Sequence, residues 1–163
     1  MKRIYFLFFA LLMPLFMSAQ TYPTGITPYT LIQIDSYFAR SQWNSAESVL
    51  KKLGYKKALE RNGTYVYSRG CSVRMSNGSV SATATSSNGY ASYIQLDVSS
   101  GQNTFLSVKF LNSKGSSYFA NLLKQTKYRL SGKVWQQPST GNCIVQEGRK
   151  FFVPGVEGVD AYM

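Results

Sequence analysis

Side chains that ordinarily do chemistry are scarce in this chain. It has no histidine, and seven carboxylates stand against eighteen lysines and arginines. Without histidine there is no Ser-His-Asp or Cys-His pair to activate a nucleophile, no imidazole base and no ordinary catalytic zinc site. The acids are Asp35, Glu47, Glu60, Asp97, Glu147, Glu157 and Asp160. A glycosidase needs only two carboxylates, set about 5 to 10 Å apart across a sugar, yet no two of these share a local spacing that marks such a site. Glu47 reads as part of a helix cap, and Glu157 and Asp160 as a solvated end.

Cys71 and Cys143 are the two cysteines, and they do not form a Cys-x-x-Cys redox pair. In an exported chain their simplest reading is one structural disulfide, with two free thiols as the alternative, because spacing alone does not bring their Cβ atoms together. The stretch NGTYVYSRGC has glycines but lacks the Gly-Lys-Ser/Thr ending of a phosphate-binding loop. A Ser-Lys or tyrosine nucleophile has no motif to locate it. The sequence therefore points away from an enzyme, with no cofactor and no metal.

What remains is the chemistry of binding. Basic residues gather at two places, Lys51, Lys52, Lys56, Lys57 and Arg61, then Lys124, Lys127, Arg129 and Lys133. Tyr65 and Tyr67 share one side of a strand, with Arg69 following at the same period. Aromatic rings interleaved with cations can stack on sugars or bases while the charges hold phosphate or carboxylate. The plainer reading is that the lysines solvate a helix face and the tyrosines half-bury their rings. Trp43 and Trp135 lie within amphipathic segments and read as core or core-edge residues.

The first basic cluster contains LKKLGYKK from Leu50, and LKQTKYRL from Leu123 resembles it. In the first, Gly54 suits the left-handed residue that closes a helix, with Tyr55 packing back on Leu50, and Lys51 and Lys52 face the negative end of the helix dipole. The second puts Lys127 where Gly54 stands. Lysine tolerates a left-handed backbone poorly, so the second helix is expected to end differently and the repeat to be partial.

These residues need elements to hold them. Leu31, Ile34 and Phe38 are spaced for a helix over 30–42. A second helix is expected from an Asn44 cap, with Glu47 completing a capping box and Ala46, Val49, Leu50 and Leu53 on its inner side. TYVYSR reads as a strand between Gly63 and Gly70, and SNGSVSATATSSNGY as a polar edge strand between Asn-Gly turns, or else as disorder. The clearest hairpin is YIQLDVSSGQNTFLSVKFL, in which Ile94, Leu96, Val98, Leu106, Val108 and Phe110 take the core side. Tyr93, Gln95, Asp97, Ser107 and Lys109 take the wet side, with SSGQN as the turn. A helix over 113–127 buries Phe119, Leu122 and Leu123 and leaves Lys114, Lys124 and Lys127 outside. Alternating segments near 128–136, 142–146 and 149–153 complete the pattern. The order predicts an α+β fold: two layers, an antiparallel sheet with two or three helices packed on one face.

The first residues place this domain. Lys2 and Arg3 precede an apolar run from Ile4 to Met17 and the small residues Ser18 and Ala19, the pattern of a cleaved secretory signal peptide. At about 14 residues the run is shorter than the roughly 20 that span a bilayer. The expected organisation is a signal peptide over 1–19, an extended linker over 20–29 and a single domain over 30–163, with no transmembrane segment in the mature chain. Losing Lys2 and Arg3 lowers the formal charge from +11 to +9, which attracts acidic partners.

The expectation is an exported, periplasmic or extracellular, non-enzymatic protein of the bacterial cell envelope that engages another protein, as an immunity, inhibitor or accessory component does. Two alternatives stand beside it. One is a basic surface for an anionic polymer such as acidic glycan, lipopolysaccharide or DNA, without sequence-specific nucleic-acid recognition. The other is a hydrolase using paired carboxylates.

Overall fold

The computed structural model describes residues 22–98 and 104–154. The expected signal peptide, the expected SSGQN turn, Glu157 and Asp160 lie outside the described residues. Among the described residues three helices, α1 (Pro28–Ala39), α2 (Trp43–Lys52) and α3 (Ser113–Gln125), accompany ten strands. The strands are β1 (Lys56–Arg61), β2 (Thr64–Arg69), β3 (Cys71–Ser76), β4 (Ser79–Ala84), β5 (Ser92–Val98), β6 (Thr104–Phe110), β7 (Arg129–Ser131), β8 (Val134–Gln136), β9 (Cys143–Glu147) and β10 (Lys150–Phe152). The fold is α+β, and every strand pairing among the described residues is antiparallel.

Eight strands form one sheet in the order β1-β2-β5-β6-β10-β9-β8-β7, while β3 and β4, among the described residues, pair only with each other. Read inward from either edge, the sheet repeats one plan: a helix, then four strands whose last member meets its counterpart at the β6–β10 junction. The two halves differ between their second and third strands. The first half carries the β3–β4 hairpin there, and the second carries only the turn over 137–142.

The same plan explains the two similar phrases. Gly54 lies at φ +84° and Lys127 at φ +66°. At the end of α2 Gly54 N–H donates to Lys51 C=O (3.0 Å) and Tyr55 N–H to Leu50 C=O (2.9 Å); at the end of α3 Lys127 N–H donates to Lys124 C=O (3.1 Å) and Tyr128 N–H to Leu123 C=O (2.9 Å). Both are Schellman stops. The expectation that Lys127 would end its helix differently is overturned. Its left-handed backbone costs about 1 to 2 kcal/mol, and the two hydrogen bonds with burial of Leu123 and Tyr128 in the main core offset that cost.

Alternation along the strands sorts side chains by direction. Tyr67, Ile94, Leu96, Leu106, Val108, Phe110, Ile144 and Phe151 join Leu31, Ile34 and Phe38 of α1, Leu50 of α2 and Phe119 and Leu123 of α3 in the main cluster. Side chains of the opposite parity enter two other clusters. Val66 and Tyr93 pack with Val73, Val80 and Ala82 of the β3–β4 hairpin, and Val134, Val145 and Phe152 pack with Phe105. The hairpin is ordered, with Asn77 and Gly78 both at positive φ in its two-residue turn.

Several local expectations are corrected. The helix expected over 30–42 starts at Pro28, because Thr27 and Thr30 form a reciprocal capping box. Residues expected as a linker are packed instead: Thr24 and Ile26 are fully buried, and Arg69 donates to Pro23 C=O at 2.8 Å. Helix α2 is capped at Gln42 without a side-chain bond, so the Asn44–Glu47 capping box does not form. On the expected wet side, Tyr93 and Ser107 are 4% and 1% exposed; the hairpin packs on Tyr93.

The cysteines are separate thiols, so the expected disulfide does not form. Cys71 Sγ donates to Ser92 C=O on β5, whereas Cys143 belongs to β9, three strand spacings away in the sheet. That is roughly 14 Å, beyond the roughly 7 Å Cα separation that a disulfide tolerates. Burial pushes both thiols above their ordinary value, which keeps them protonated and poorly nucleophilic at neutral pH.

Candidate functional site

The residues singled out by sequence do not converge on one surface. Lys51, Lys52 and Lys56 are exposed at the end of α2 and start of β1, and Lys124, Lys127 and Arg129 are exposed at the end of α3 and start of β7. Strands β1 and β7 are the two edges of the sheet, seven strand spacings or roughly 33 Å apart along it. The repeat that makes the two phrases alike also holds them apart.

Tyr65, Tyr67 and Arg69 act within the fold. The Tyr67 hydroxyl donates to Glu47 Oε1 at 2.8 Å, and the residue is 2% exposed. Burial and the neighbouring Glu47 carboxylate push the Tyr67 phenol well above its ordinary range. The Tyr65 ring packs on Trp43 at 4.8 Å, with Lys57 Nζ 5.2 Å from its centre. Lys57 also sits between Glu60, at 2.6 Å, and Glu47, at 3.8 Å. These are the carboxylates that the structure brings together, and an ammonium occupies the space between them. Trp135 is buried and donates to Gln146 Oε1, and Trp43 packs at the core's rim, as expected of core and core-edge residues. Among the described residues no group of His, Cys, Asp and Glu is placed to hold a metal ion, and no helix is long and apolar enough to cross a membrane.

A different place combines shape and charge. The register carries one row of side chains across the sheet, Ser68–Tyr93–Lys109–Lys150–Glu147, on the side away from the helices' cluster. Lys109 and Lys150 are thus direct cross-strand neighbours, a like-charge pairing that is unfavourable in itself, with Glu147 opposite Lys150 on its other side. The ion pairs among the described residues both belong to Lys57, so neither lysine has a carboxylate partner there. The Lys150 ammonium lies instead over the Phe105 ring, 4.6 Å from its centre, beside the Phe105–Phe152 ring pair.

Against this row the β3–β4 hairpin forms the wall of a groove of about 480 Å³. Val80 to Ala84 of β4 line one side, and Tyr93, Lys109, Leu111 and Arg149 the other. The hairpin is held there because β3 packs beside β1 and β2 and Val73, Val80 and Ala82 cover Val66 and Tyr93. Arg149 is fixed at the groove end by donating to Leu111 C=O. Burial raises the Tyr93 phenol above its ordinary value. The groove offers two cations and an uncharged strand, β4, suited to an extended ligand with acidic groups.

Lys109 was legible as a wet-side residue, but Arg149 and Lys150 were missed as site residues. Their approach to Lys109 depends on the β6–β10 pairing, which joins segments about forty residues apart and has no local signature. Comparison with known proteins returned no matching family model, no similar curated protein and no similar solved structure.

Proposed function

We propose that this is an exported, non-enzymatic binding protein of the bacterial envelope or secreted space, engaging another protein through the sheet face that bears the β4–Lys109–Arg149 groove. In this reading the three helices form a layer over the other face, which leaves this one for a partner. The observation that carries it is the groove itself: two cations that have no acidic partner among the described residues, beside a hairpin inserted into only one half of the sheet. An immunity protein, an inhibitor or an accessory subunit would use such a surface. The anionic-polymer alternative draws less support, since a polymer is best held by continuous positive charge and the helix-end lysines stand at opposite edges of the sheet. The hydrolase alternative needs two carboxylates around open space, and Glu47 and Glu60 enclose Lys57.

The test is affinity capture from envelope and secreted fractions at low and moderate salt, with the wild type and the Lys109→Glu/Arg149→Glu variant side by side. A stoichiometric protein partner held by the wild type and lost from the variant is expected. No such partner, or one held equally by both, would remove the proposal. Capture of polyanions with steep salt dependence would favour the alternative.

A further inference from the structure

We infer that β4 is a docking strand: its free edge accepts an extended acidic segment of a partner protein as a third strand of the β3–β4 sheet, with carboxylates on alternate residues reaching Lys109 and Arg149. This rests on the protein-binding reading and adds the mode and chemistry of recognition.

The free edge follows from the register. Ser76 and Ser79 flank the two-residue turn, and pairing then runs without a shift to Cys71 and Ala84. In such a hairpin the residues next to the turn exchange backbone hydrogen bonds, and the pattern alternates outward. Ser79, Ser81 and Thr83 therefore direct their backbone groups at β3, while Val80, Ala82 and Ala84 direct theirs away from it. Among the described residues β4 has no other strand partner, so three N–H and three C=O groups line the edge that borders the groove.

The two edges of the eight-stranded sheet are built differently. Exposed sheet edges are usually blunted by charge, proline, bulges or brevity. Strand β1 carries Lys56, Lys57, Glu60 and Arg61 and a register shift between Lys57 and Leu59. Strand β7 has only three residues. Strand β4, with the sequence SVSATA, has no charge, no proline and no irregularity in its pairing. It is an unprotected edge of six residues.

A segment laid along that edge occupies the groove. Successive side chains of a strand point to opposite sides, so every second one faces the row containing Tyr93 and Lys109, with Arg149 at the end. Carboxylates at those positions meet two cations that have no acidic partner among the described residues, and backbone bonds to Val80, Ala82 and Ala84 give the affinity that strand addition supplies.

The probe is a blocked nonapeptide alternating Thr and Glu, compared with the same peptide carrying Gln for Glu. Binding is read by fluorescence polarisation, and hydrogen exchange of individual amides by NMR. Saturating Glu peptide is expected to slow exchange at Val80, Ala82 and Ala84 by about tenfold or more. The Gln peptide and the Lys109→Glu/Arg149→Glu variant should lose most of the binding. Ala82→Pro should lose it too while retaining the wild-type melting temperature, since proline is tolerated where a strand N–H faces outward. Should Ala82→Pro unfold, the exchange pattern of the wild type still decides. Binding without protection of these three amides, equal binding of the Gln peptide, or no binding at millimolar peptide would overturn the docking strand. So would a dimer of this chain that Ala82→Pro abolishes, since the edge would then serve self-association. Loss of the docking strand with retention of a captured partner would leave the broader function standing; absence of any partner would remove both.

Discussion

At the scale of single residues, the most instructive pair is Gly54 and Lys127, which hold the same left-handed position at the ends of two equivalent helices. Glycine takes that conformation without a Cβ penalty. Lys127→Gly should accordingly stabilise the fold by about 1 kcal/mol, and Gly54→Ala should destabilise it by a similar amount, both measurable by chemical denaturation. The sequence made the helix stop legible at Gly54 and misleading at Lys127, because local preference was outweighed by the burial of Tyr128 and Leu123. Asp35 supplies a second test. Burial pushes its carboxyl from 3.8 up to about 6, so the folded state binds its proton more tightly than the unfolded chain does. The penalty is absent below about pH 4, grows as pH rises toward 6, and is complete above it. Asp35→Asn should stabilise the protein by on the order of 1 to 2 kcal/mol near pH 7 and scarcely at all near pH 3.5, after allowance for the group's partial access to water.

At the scale of elements, local periodicity made most helices and strands visible: α3, the β5–β6 hairpin and the Asn-Gly turn of β3–β4 all lie where their spacing puts them. What was not legible was whatever depended on distant contacts. Tyr93 looked like a wet-side residue until a hairpin from earlier in the chain packed on it, and residues near Thr24 looked like a linker although they are buried. The repeat makes a prediction here. Leu50 and Leu123 occupy matching buried positions in the main core, so Leu50→Ala and Leu123→Ala should each cost about 2 to 5 kcal/mol. A much smaller cost at one of them in urea unfolding would show that the two helix stops are not equivalent.

At the scale of the whole molecule, pairing between sequence-distant strands decides both the cysteines and the site. With Cys71 and Cys143 separated across the sheet, denaturation without reductant should leave both thiols open to alkylation, and mass spectrometry should find two adducts; a chain that takes none would restore the disulfide. The candidate surface likewise arises where β6 meets β10 and the inserted hairpin stands beside them, so a reading confined to neighbouring residues favoured the helix-end lysines. The most direct measurement is partner capture with two charge-reversal variants, Lys109→Glu/Arg149→Glu in the groove and Lys51→Glu/Lys124→Glu at the helix ends, each first shown to melt like the wild type. Loss of a stoichiometric protein partner from the groove variant, with its retention by the helix-end variant, is the predicted result. Retention by the groove variant and loss from the helix-end variant would contradict it.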